Sequence, residues 1–476
     1  MTTQTLERSA VAGPQDRPAS GGRWILLVTM AATFMAVMDS FIVNVAVPSL
    51  RADLHASFPQ TEWAVGGYTL TYGLLLVTGG RLGDLYGPRR LFAGGIALFT
   101  AASLGAGLAA GPGQLIAFRV AQAAGAALFY PQVLAVLRTS FAEGRARSRA
   151  FAVFGAVIGL ASIAGQVVGG LLISLDLFGL GWRSVFLVNL PIGIAAVAGA
   201  LRVLPRPVRP AARGALDLPG VALLSAALLA LTGPLTAAGD AGWSPWTVAA
   251  LVCCPLFFAA FAVRERRAAR PLVDPALLGQ PAFSGGLAVA LAFFAGNAGL
   301  FFVLALELQS VLGLGPLAAG LAFAPLAVAF AAASLCGPRL TARLGRHTLT
   351  LGYTVNALGT LALLLTCRFA GDGLSAGLLV PALAVIGAGQ GLGVSPLVST
   401  VLERIPERQA GAAAGVLQTA NQVGMALGVG ALGLVFGPSA DGAAFRTALW
   451  ANLALAVLAL ALLPLMFRGR PGGGRR

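Results

Sequence analysis

Two residues of opposite charge, Asp39 and Arg119, interrupt long apolar runs of this 476-residue chain. If both runs are bilayer helices rising 1.5 Å per residue, the two side chains lie roughly 8–11 Å below the same membrane face. A carboxyl group that meets a guanidinium in one conformation and loses it in another can bind and release a proton. The pair therefore predicts proton exchange, and the alternative is a buried ion pair that only holds two helices together.

A third acid, Glu307, lies near the end of another apolar run. It is either a solvated acid at the membrane interface or, if it faces a cavity, a second proton site or a counter-charge for a cationic substrate. The chain has two histidines and four cysteines, with no C-x-x-C pair and no nucleophile–base arrangement. We therefore predict no catalytic residues, no metal site and no enzyme activity.

The composition places these charges in a membrane protein. Hydrophobic residues make up 57% of the chain, charged residues only 10%, and the mean hydropathy is +0.84. The net charge of +15 comes from short arginine clusters between apolar runs and not from one polar face, which argues against a nucleic-acid partner. The expected partners are the lipid bilayer, protons and a small molecule, and we expect a monomer.

The apolar runs can be counted as membrane spans. A bilayer core of about 30 Å requires about 20 apolar residues per helix. Runs between polar breaks predict fourteen spans, near 24–46, 61–80, 91–110, 114–137, 150–174, 182–204, 217–238, 246–263, 283–309, 317–337, 348–367, 376–400, 411–436 and 447–467.

The distribution of arginine predicts the orientation of these spans. Every one of the 32 basic residues is an arginine, and nearly all lie in the two termini and in every second loop. Loops rich in arginine stay in the cytoplasm. We therefore expect a multi-pass protein of the cell's inner (plasma) membrane with cytoplasmic N- and C-termini. The exceptions are Arg51, Arg119, Arg183, Arg368 and Arg446.

An internal repeat indicates how the spans are grouped. The segment "RLGDLYGPRR" (81–90) aligns with "RLTARLGRHT" (339–348), and each follows the second span of a six-span block. Parallel repeats of six helices are a recurrent transporter plan. The predicted units are a cytoplasmic tail at 1–23, an N-terminal six-helix half at 24–204, a linker with two inserted transmembrane helices at 205–282, a C-terminal six-helix half at 283–467 and a cytoplasmic tail at 468–476.

Several motifs resemble a known family. The stretch around 80–89 is similar to the loop signature G-x-L-A-D-x-x-G-R-K of the major facilitator superfamily, and "FRVAQAAGAALFYP" (118–131) is similar to its R-x-x-Q-G-x-G-A-A motif. "MDSFIVNVAVPSL" (38–50), "WRSVFLVNLPIG" (182–193) and "GAAAGVLQTANQVGMALGVG" (411–430) resemble the fourteen-helix drug:proton antiporter branch. The resemblance implies an all-α integral membrane bundle of two six-helix halves plus two extra central helices. It also implies a proton gradient as energy source, without a cofactor.

The charged loop after the second predicted span combines an aspartate with arginines. Arginines alone would fix its side of the membrane, but topology needs no aspartate. The resemblance implies that Asp84, Gly87 and Arg89 form a clasp between the halves that holds one conformation and breaks in the other. In the second repeat Ala342 takes the aspartate's place, so the clasp is one-sided.

Polar groups and glycines inside the spans supply further candidates. Asn44, Tyr68, Gln122 and Gln166 are expected either to line a substrate cavity or to join helices by hydrogen bonds. Glycines repeat along the fifth span and predict close helix packing at Gly155, Gly159, Gly165, Gly169 and Gly170. The antiporter branch has G-P-x-x-G-G there, whereas this chain has Gln166 in the proline position.

These features favour secondary export of a hydrophobic or cationic drug, or of an endogenous natural product, by alternating access with inward proton flow. The alternative within transport is proton-coupled or facilitated uptake of a metabolite. A membrane-embedded enzyme lacks the required side chains. An ATP-driven permease would need a separate ATPase subunit, since the chain has no G-x-x-x-x-G-K-[ST] loop.

Overall fold

The computed structural model describes residues 22–141, 145–205, 217–241, 244–268, 275–402, 405, 407–437 and 441–467. Nearly all of these residues are helical. The α-helices, in chain order, are α1 Gly22–Leu54, α2 Phe58–Tyr86, α3 Pro88–Gly107, α4 Pro112–Ser140, α5 Arg145–Leu175, α6 Ser184–Leu187, α7 Asn189–Val203, α8 Leu218–Ala241, α9 Pro245–Arg267, α10 Pro275–Leu278, α11 Pro281–Leu306, α12 Pro316–Ala322, α13 Ala324–Leu344, α14 His347–Ala370, α15 Ala376–Leu402, α16 Glu407–Phe436 and α17 Gly442–Phe467. A π-helix, Glu307–Val311, continues α11.

Local sequence signals fix several helix ends. Ser57 and Gln60 form a capping box at the start of α2, which satisfies two backbone N–H groups at that end. Gly87 ends α2 with a φ of 88°, and Gly345 ends α13 with a φ of 55°. Both values lie in the left-handed region that favours glycine. The two glycines that align in the sequence repeat therefore occupy equivalent turns in the structure.

Among the described residues, twelve helices are long and apolar enough to cross a membrane. Two other long helices, α2 and α8, are not among them. α2 carries Glu62, Arg81 and Asp84, and α8 counts only as a shorter apolar helix over Pro219–Pro234. The predicted number of fourteen spans is therefore not confirmed.

The helices of residues 22–203 pack chiefly on one another, as do those of residues 281–467. We call these sets the first half and the second half. Glycines permit close approach within each half: Gly95 meets Gly125 between α3 and α4, and Gly352 meets Gly389 between α14 and α15. A methyl group on any of these glycines would approach backbone atoms of the neighbouring helix within 3.1 Å.

Contacts between the halves concentrate near one face of the bundle. We call it the arginine-poor face, because its connections carry only Arg51, Arg183, Arg368 and Arg446. The Gln309 side-chain amide donates to the Val45 carbonyl at 3.0 Å, and the Leu317 N–H donates to the Ser174 hydroxyl at 3.1 Å. These contacts join α1 and α5 to the π-helix and α12, so the halves meet at this face.

Helices α8 and α9 form a hairpin beside the halves. α8 packs against both α2 and α16, whereas α9 packs mainly against α8 and exposes most of its apolar side chains. Arg264 near the end of α9 donates to Asp217 at 2.7 Å and joins the ends of the hairpin. The predicted connections at 205–214 and 264–275 and the two terminal tails lie largely outside the described residues.

Candidate functional site

Asp39 and Arg119 form an ion pair in the interior of the first half. Arg119 Nη1 lies 2.6 Å from Asp39 Oδ2. The Asp39 side chain is 0% exposed and the Arg119 side chain 1%. Asp39 is on α1 and Arg119 on α4, and both side chains point into the bundle. The sequence expectation that they share one layer therefore matches the geometry.

Neutral donors complete the surroundings of the carboxylate. The side-chain amides of Gln122 on α4 and Asn189 on α7 both donate to Asp39 Oδ1, at 2.8 and 2.7 Å. Each amide also donates to the Ser103 hydroxyl oxygen on α3, at 2.9 Å. Four helices thus contribute to one closed hydrogen-bond network around Asp39.

The guanidinium has acceptors other than Asp39. Arg119 Nε donates to the Ala64 carbonyl of α2 at 3.0 Å, and Arg119 Nη1 donates to Gln122 Oε1 at 2.7 Å. The guanidinium carbon lies 4.0 Å from the centre of the Tyr68 ring, a cation–π distance. A protonated Asp39 would therefore not leave the arginine without partners.

The second half repeats this geometry without charge. Asn297 lies on α11, the first long helix of that half, and its Oδ1 accepts from Gln390 Nε2 of α15 at 2.6 Å. Asp39 and Gln122 occupy the corresponding first and fourth long helices of the first half. An amide pair cannot exchange protons near neutral pH. At corresponding positions, the first half thus has the charged pair Asp39 and Arg119, and the second half has the neutral pair Asn297 and Gln390.

Glu307 lies away from the Asp39 network. It begins the π-helix after α11 and is only 1% exposed, and its Oε2 has no hydrogen-bond partner among the described residues. The charges that act on it are Arg446 and Asp441, near the start of α17. The alternative of a solvated interfacial acid is thus wrong, because the helices of the second half enclose the side chain.

Two of the four expected cavity residues are parts of the Asp39 network. Tyr68 and Gln122 are 0% exposed, since the first packs on Arg119 and the second bonds Asp39. They bridge helices and do not line an open cavity. Asn44 and Gln166 are also buried, but Asn44 Oδ1 and both amide atoms of Gln166 lack partners among the described residues.

The glycines of α5 have different surroundings. A methyl group at Gly165 or Gly169 would meet α1 within 2.7 to 2.8 Å, and one at Gly170 would lie 2.5 Å from the Pro316 carbonyl. At Gly159 the nearest atom is 3.5 Å away, on Phe330. Gly155 is exposed and meets no described atom within 4 Å, so the packing prediction is wrong there.

The predicted clasp between the halves stays a prediction, because the described contacts of Gly87 and Arg89 lie within the first half. Gly87 joins α2 to α3, and its N–H donates to the Gly83 carbonyl at 2.9 Å. The Arg89 guanidinium donates to the Leu201 carbonyl near the end of α7, within the first half. The side chain of Asp84 lies outside the described part of the structure.

Sequence reasoning missed several buried polar residues, among them Ser103, Asn189 and Glu62. Ser103 and Asn189 complete the network, and Glu62 is 1% exposed although it is an acid near the start of α2. Asn189 falls in the quoted stretch "WRSVFLVNLPIG", where a lone amide among apolar residues was the available signal. Glu62 stands only two residues inside the predicted second span, where it resembles an ordinary interfacial acid.

Comparison with known proteins identifies the family. A profile of the Major Facilitator Superfamily matches residues 29–429. The chain belongs to the Major Facilitator Superfamily. The predicted family is thus confirmed, and this Major Facilitator Superfamily transporter is a multi-pass membrane protein.

Relatives and a solved structure agree with this assignment. The transporter is 40% identical over 434 residues to the probable actinorhodin transporter of Streptomyces coelicolor, covering 89% of this chain and 74% of that protein. It is 38% identical to the cephamycin export protein of Amycolatopsis lactamdurans, covering 98% of both chains. A crystal structure of a D-xylose–proton symporter shares the fold, with a TM-score of 0.67 at 15% identity, covering 93% of this chain and 97% of that chain.

Proposed function

We propose that this transporter exports an antibiotic-class natural product or a related hydrophobic compound, driven by protons that enter through the Asp39 network. The observation that carries this proposal is an enclosed carboxyl–guanidinium pair with neutral ligands on both partners. The curated relatives, an actinorhodin transporter and a cephamycin exporter, support the substrate class.

Proton coupling follows from the chemistry of the pair. When Asp39 is ionised, Arg119 and two amides stabilise the carboxylate. When a proton binds Asp39, the ion pair is lost and Arg119 retains Ala64 and Gln122 as acceptors. This change in the contacts of α1, α2 and α4 favours a different arrangement of these helices, which is the basis of alternating access.

The predicted orientation of the chain in the membrane gives the proposed proton exchange a direction. From the arginine bias we infer that the arginine-rich loops and both termini face the cytoplasm. The arginine-poor face is then external, and the halves meet at that face. We assign this conformation to the inward-facing part of the cycle, in which a substrate enters from the cytoplasmic side.

Asn44 and Gln166 are the proposed polar contacts of the substrate. Unsatisfied buried amides are costly, and a bound compound with hydroxyl, carbonyl or amine groups would satisfy them. Gln166 also lies at the seam between the halves, because its carbonyl is 2.5 Å from the position of a methyl group at Gly320 of α12. Glu307 remains a candidate second proton site or counter-charge, and Asp84, Gly87 and Arg89 a candidate clasp.

Transport by inverted membrane vesicles tests the proposal. Actinorhodin, a cephamycin and an amphiphilic cationic dye would be offered with and without an acid-inside pH gradient. We expect the parent to accumulate at least one compound only when the gradient is present. Asp39→Asn should lower this accumulation to about a tenth of the parent level or less.

Asp53→Asn is the matched control, because it makes the same change on α1 at an exposed acid bonded to Arg183. We expect it to accumulate substrate like the parent. Uphill accumulation by Asp39→Asn at the parent level would exclude Asp39 as the coupling group. Accumulation without any pH gradient would exclude proton-driven export.

A further inference from the structure

Glu307 is a buried acid at the start of the π-helix that continues α11. It is 1% exposed, and its Oε2 has no hydrogen-bond partner among the described residues. Its electrostatic neighbours are the Cys367 thiol of α14, Arg446 of α17 and the exposed Asp441. Within the described part of the chain no ion pair joins Glu307 to Arg446, so the cation acts only from a distance. A protonated carboxyl group therefore costs much less here than an ionised one.

The same π-helix carries a contact between the halves. The Gln309 side-chain amide, two residues after Glu307, donates to the Val45 carbonyl of α1 at 3.0 Å. The Leu312 N–H donates to the Glu307 carbonyl at 2.9 Å, which is the bond of a π-turn. Such turns are rare and occur frequently at functional sites. One turn of backbone thus joins the buried acid to a bond that closes the arginine-poor face.

A cleft of about 430 Å³ separates the end of α1 from the π-helix at this face. Its lining includes Arg51 and the exposed His55 on the side of α1, and Leu306 and Ser310 on the side of the π-helix. Glu307 lies on the other side of the π-helix, toward α14 and α17. Water can therefore approach the π-helix through the cleft, beside the bond from Gln309 to Val45.

The charge of Glu307 affects this bond through the backbone. An ionised carboxyl group gains free energy by leaving the apolar interior for water, and that movement changes the π-turn and withdraws Gln309 from Val45. A proton on Glu307 removes this tendency and lets the turn stay closed. The closed state thus holds the proton more tightly than the open state, so a lower pH favours closure.

We propose that Glu307 is a positioning residue that closes the arginine-poor face when it binds a proton, and that it acts through Gln309. The inference rests on the alternating access and the orientation given under the proposed function. The proton enters from the external solution while the face is open and returns there when the face reopens. Glu307 therefore gates the cycle, and it adds no proton to those transported through Asp39.

The distance between two spin labels measures closure directly. Leu175→Cys on α5 and Leu321→Cys on α12 place the labels on exposed positions of the two halves. The background keeps the buried Cys367 and lacks Cys253, Cys254 and Cys336. It also carries Asp39→Asn, so that the proposed coupling group cannot titrate. Double electron–electron resonance on purified protein, without substrate or gradient, then gives the ratio of closed to open molecules.

The ratio is compared at about pH 5.5 and about pH 8.5, a range in which buried carboxyl groups titrate. With Glu307 present, we expect a ratio about tenfold higher at the acid pH, as for a closed state that binds the proton about tenfold more tightly. Glu307→Gln is neutral at both values and should stay as closed as the acid form throughout. Its thermal unfolding temperature should equal or exceed that of the background protein.

Gln309→Leu tests the route from the acid to the contact. We expect it to lower the closed-to-open ratio at both pH values, because the bond to Val45 is lost. Added to this variant, Glu307→Gln should change the ratio at most about twofold, since two residues that act through one contact are not additive. A full tenfold effect of Glu307→Gln in the Gln309→Leu background would overturn the proposed route.

Two control variants remove other titratable groups at the same face. His55→Asn keeps the left-handed backbone at this position, where φ is 50°, because asparagine tolerates it. Asp53→Asn removes an exposed acid of α1. We expect both to keep the tenfold response to pH. Arg446→Gln should move its midpoint to higher pH, because the lost cation favours the ionised form of Glu307.

A response to pH that persists in Glu307→Gln, or that disappears in His55→Asn, would overturn the proposal. So would a Glu307→Gln variant that changes only the KM of a cationic dye, since that result assigns a counter-charge. The spin-label measurement needs neither substrate nor Asp39, so it is independent of the export assay. Failure of every compound in vesicles, combined with loss of the pH response in Glu307→Gln, would reject the proposed export and retain the role of Glu307.

Discussion

At the scale of single residues, the Asp39 network contains one acid, one cation and neutral groups that bond both. Asn189 is one of these neutral groups. Its amide donates to Asp39 Oδ1 at 2.7 Å and to the Ser103 hydroxyl at 2.9 Å. It carries no charge and exchanges no proton. Its contribution is to hold the carboxylate where Arg119 can reach Oδ2.

Replacing Asn189 with leucine should therefore weaken coupling without removing the proton-binding group. Hydrogen bonds between membrane helices average about 0.6 kcal/mol and reach about 1.7 kcal/mol, which corresponds to a loss of gradient-driven transport rate of about threefold to eighteenfold. The measurement is the initial rate in inverted vesicles at several imposed pH gradients. Asn356→Leu, a buried asparagine of the second half, is the control, and equal rates in the two variants would contradict this role.

At the scale of helices, glycine positions decide how closely two elements approach. α5 contains glycines of both kinds: Gly165 faces the Met38 carbonyl of α1, whereas Gly155 is exposed. The same residue type thus permits close helix packing at Gly165 and makes no close contact with a described neighbour at Gly155. The period of small residues along the helix does not distinguish them, but the neighbouring helix does.

Alanine substitutions at Gly165 and Gly155 should change the stability of the protein by different amounts. A methyl group at Gly165 would approach the Met38 carbonyl to 2.7 Å, so α1 and α5 must move apart, at a cost of about 1–3 kcal/mol. Gly155→Ala should be neutral or stabilising by up to about 1 kcal/mol, because alanine favours helix. Thermal unfolding in detergent checks both, and similar unfolding temperatures for the two variants would show that the contact with α1 is not restrictive.

At the scale of the whole molecule, two halves meet at the arginine-poor face while the inserted hairpin lies beside their seam. Contacts of α5 with α12 and of α1 with the π-helix close this face. Rigid halves that rock about a central site must break these contacts in each cycle. Under the proposed alternating access, closure at this face is one state of the cycle.

A reversible cross-link across the face should stop transport. Ser174→Cys with Leu317→Cys joins α5 to α12 at the point where the Leu317 N–H meets the Ser174 hydroxyl. We expect oxidation to abolish export and a reducing agent to restore it, with the single-cysteine variants unaffected in a background free of native cysteines. Full export by the oxidised pair would contradict alternating access through this face.

The amino-acid sequence by itself determined the class of protein, its apolar helices and the shared depth of Asp39 and Arg119. These properties depend on composition and on a fixed rise per residue, which are local. The alignment of residues 81–90 with 339–348 likewise located two equivalent glycine turns, because a positive φ is a local demand on Gly87 and Gly345.

The tertiary structure alone decided which side chains share a site. Gln122 and Asn189 come from helices far apart in sequence, and only packing brings both of their amides to one carboxylate oxygen. Glu62 and Glu307 look like interfacial acids in the sequence, yet neighbouring helices bury each of them. Burial and partner choice depend on what lies across a helix interface, and that information is not contained in the spacing of residues along a single helix.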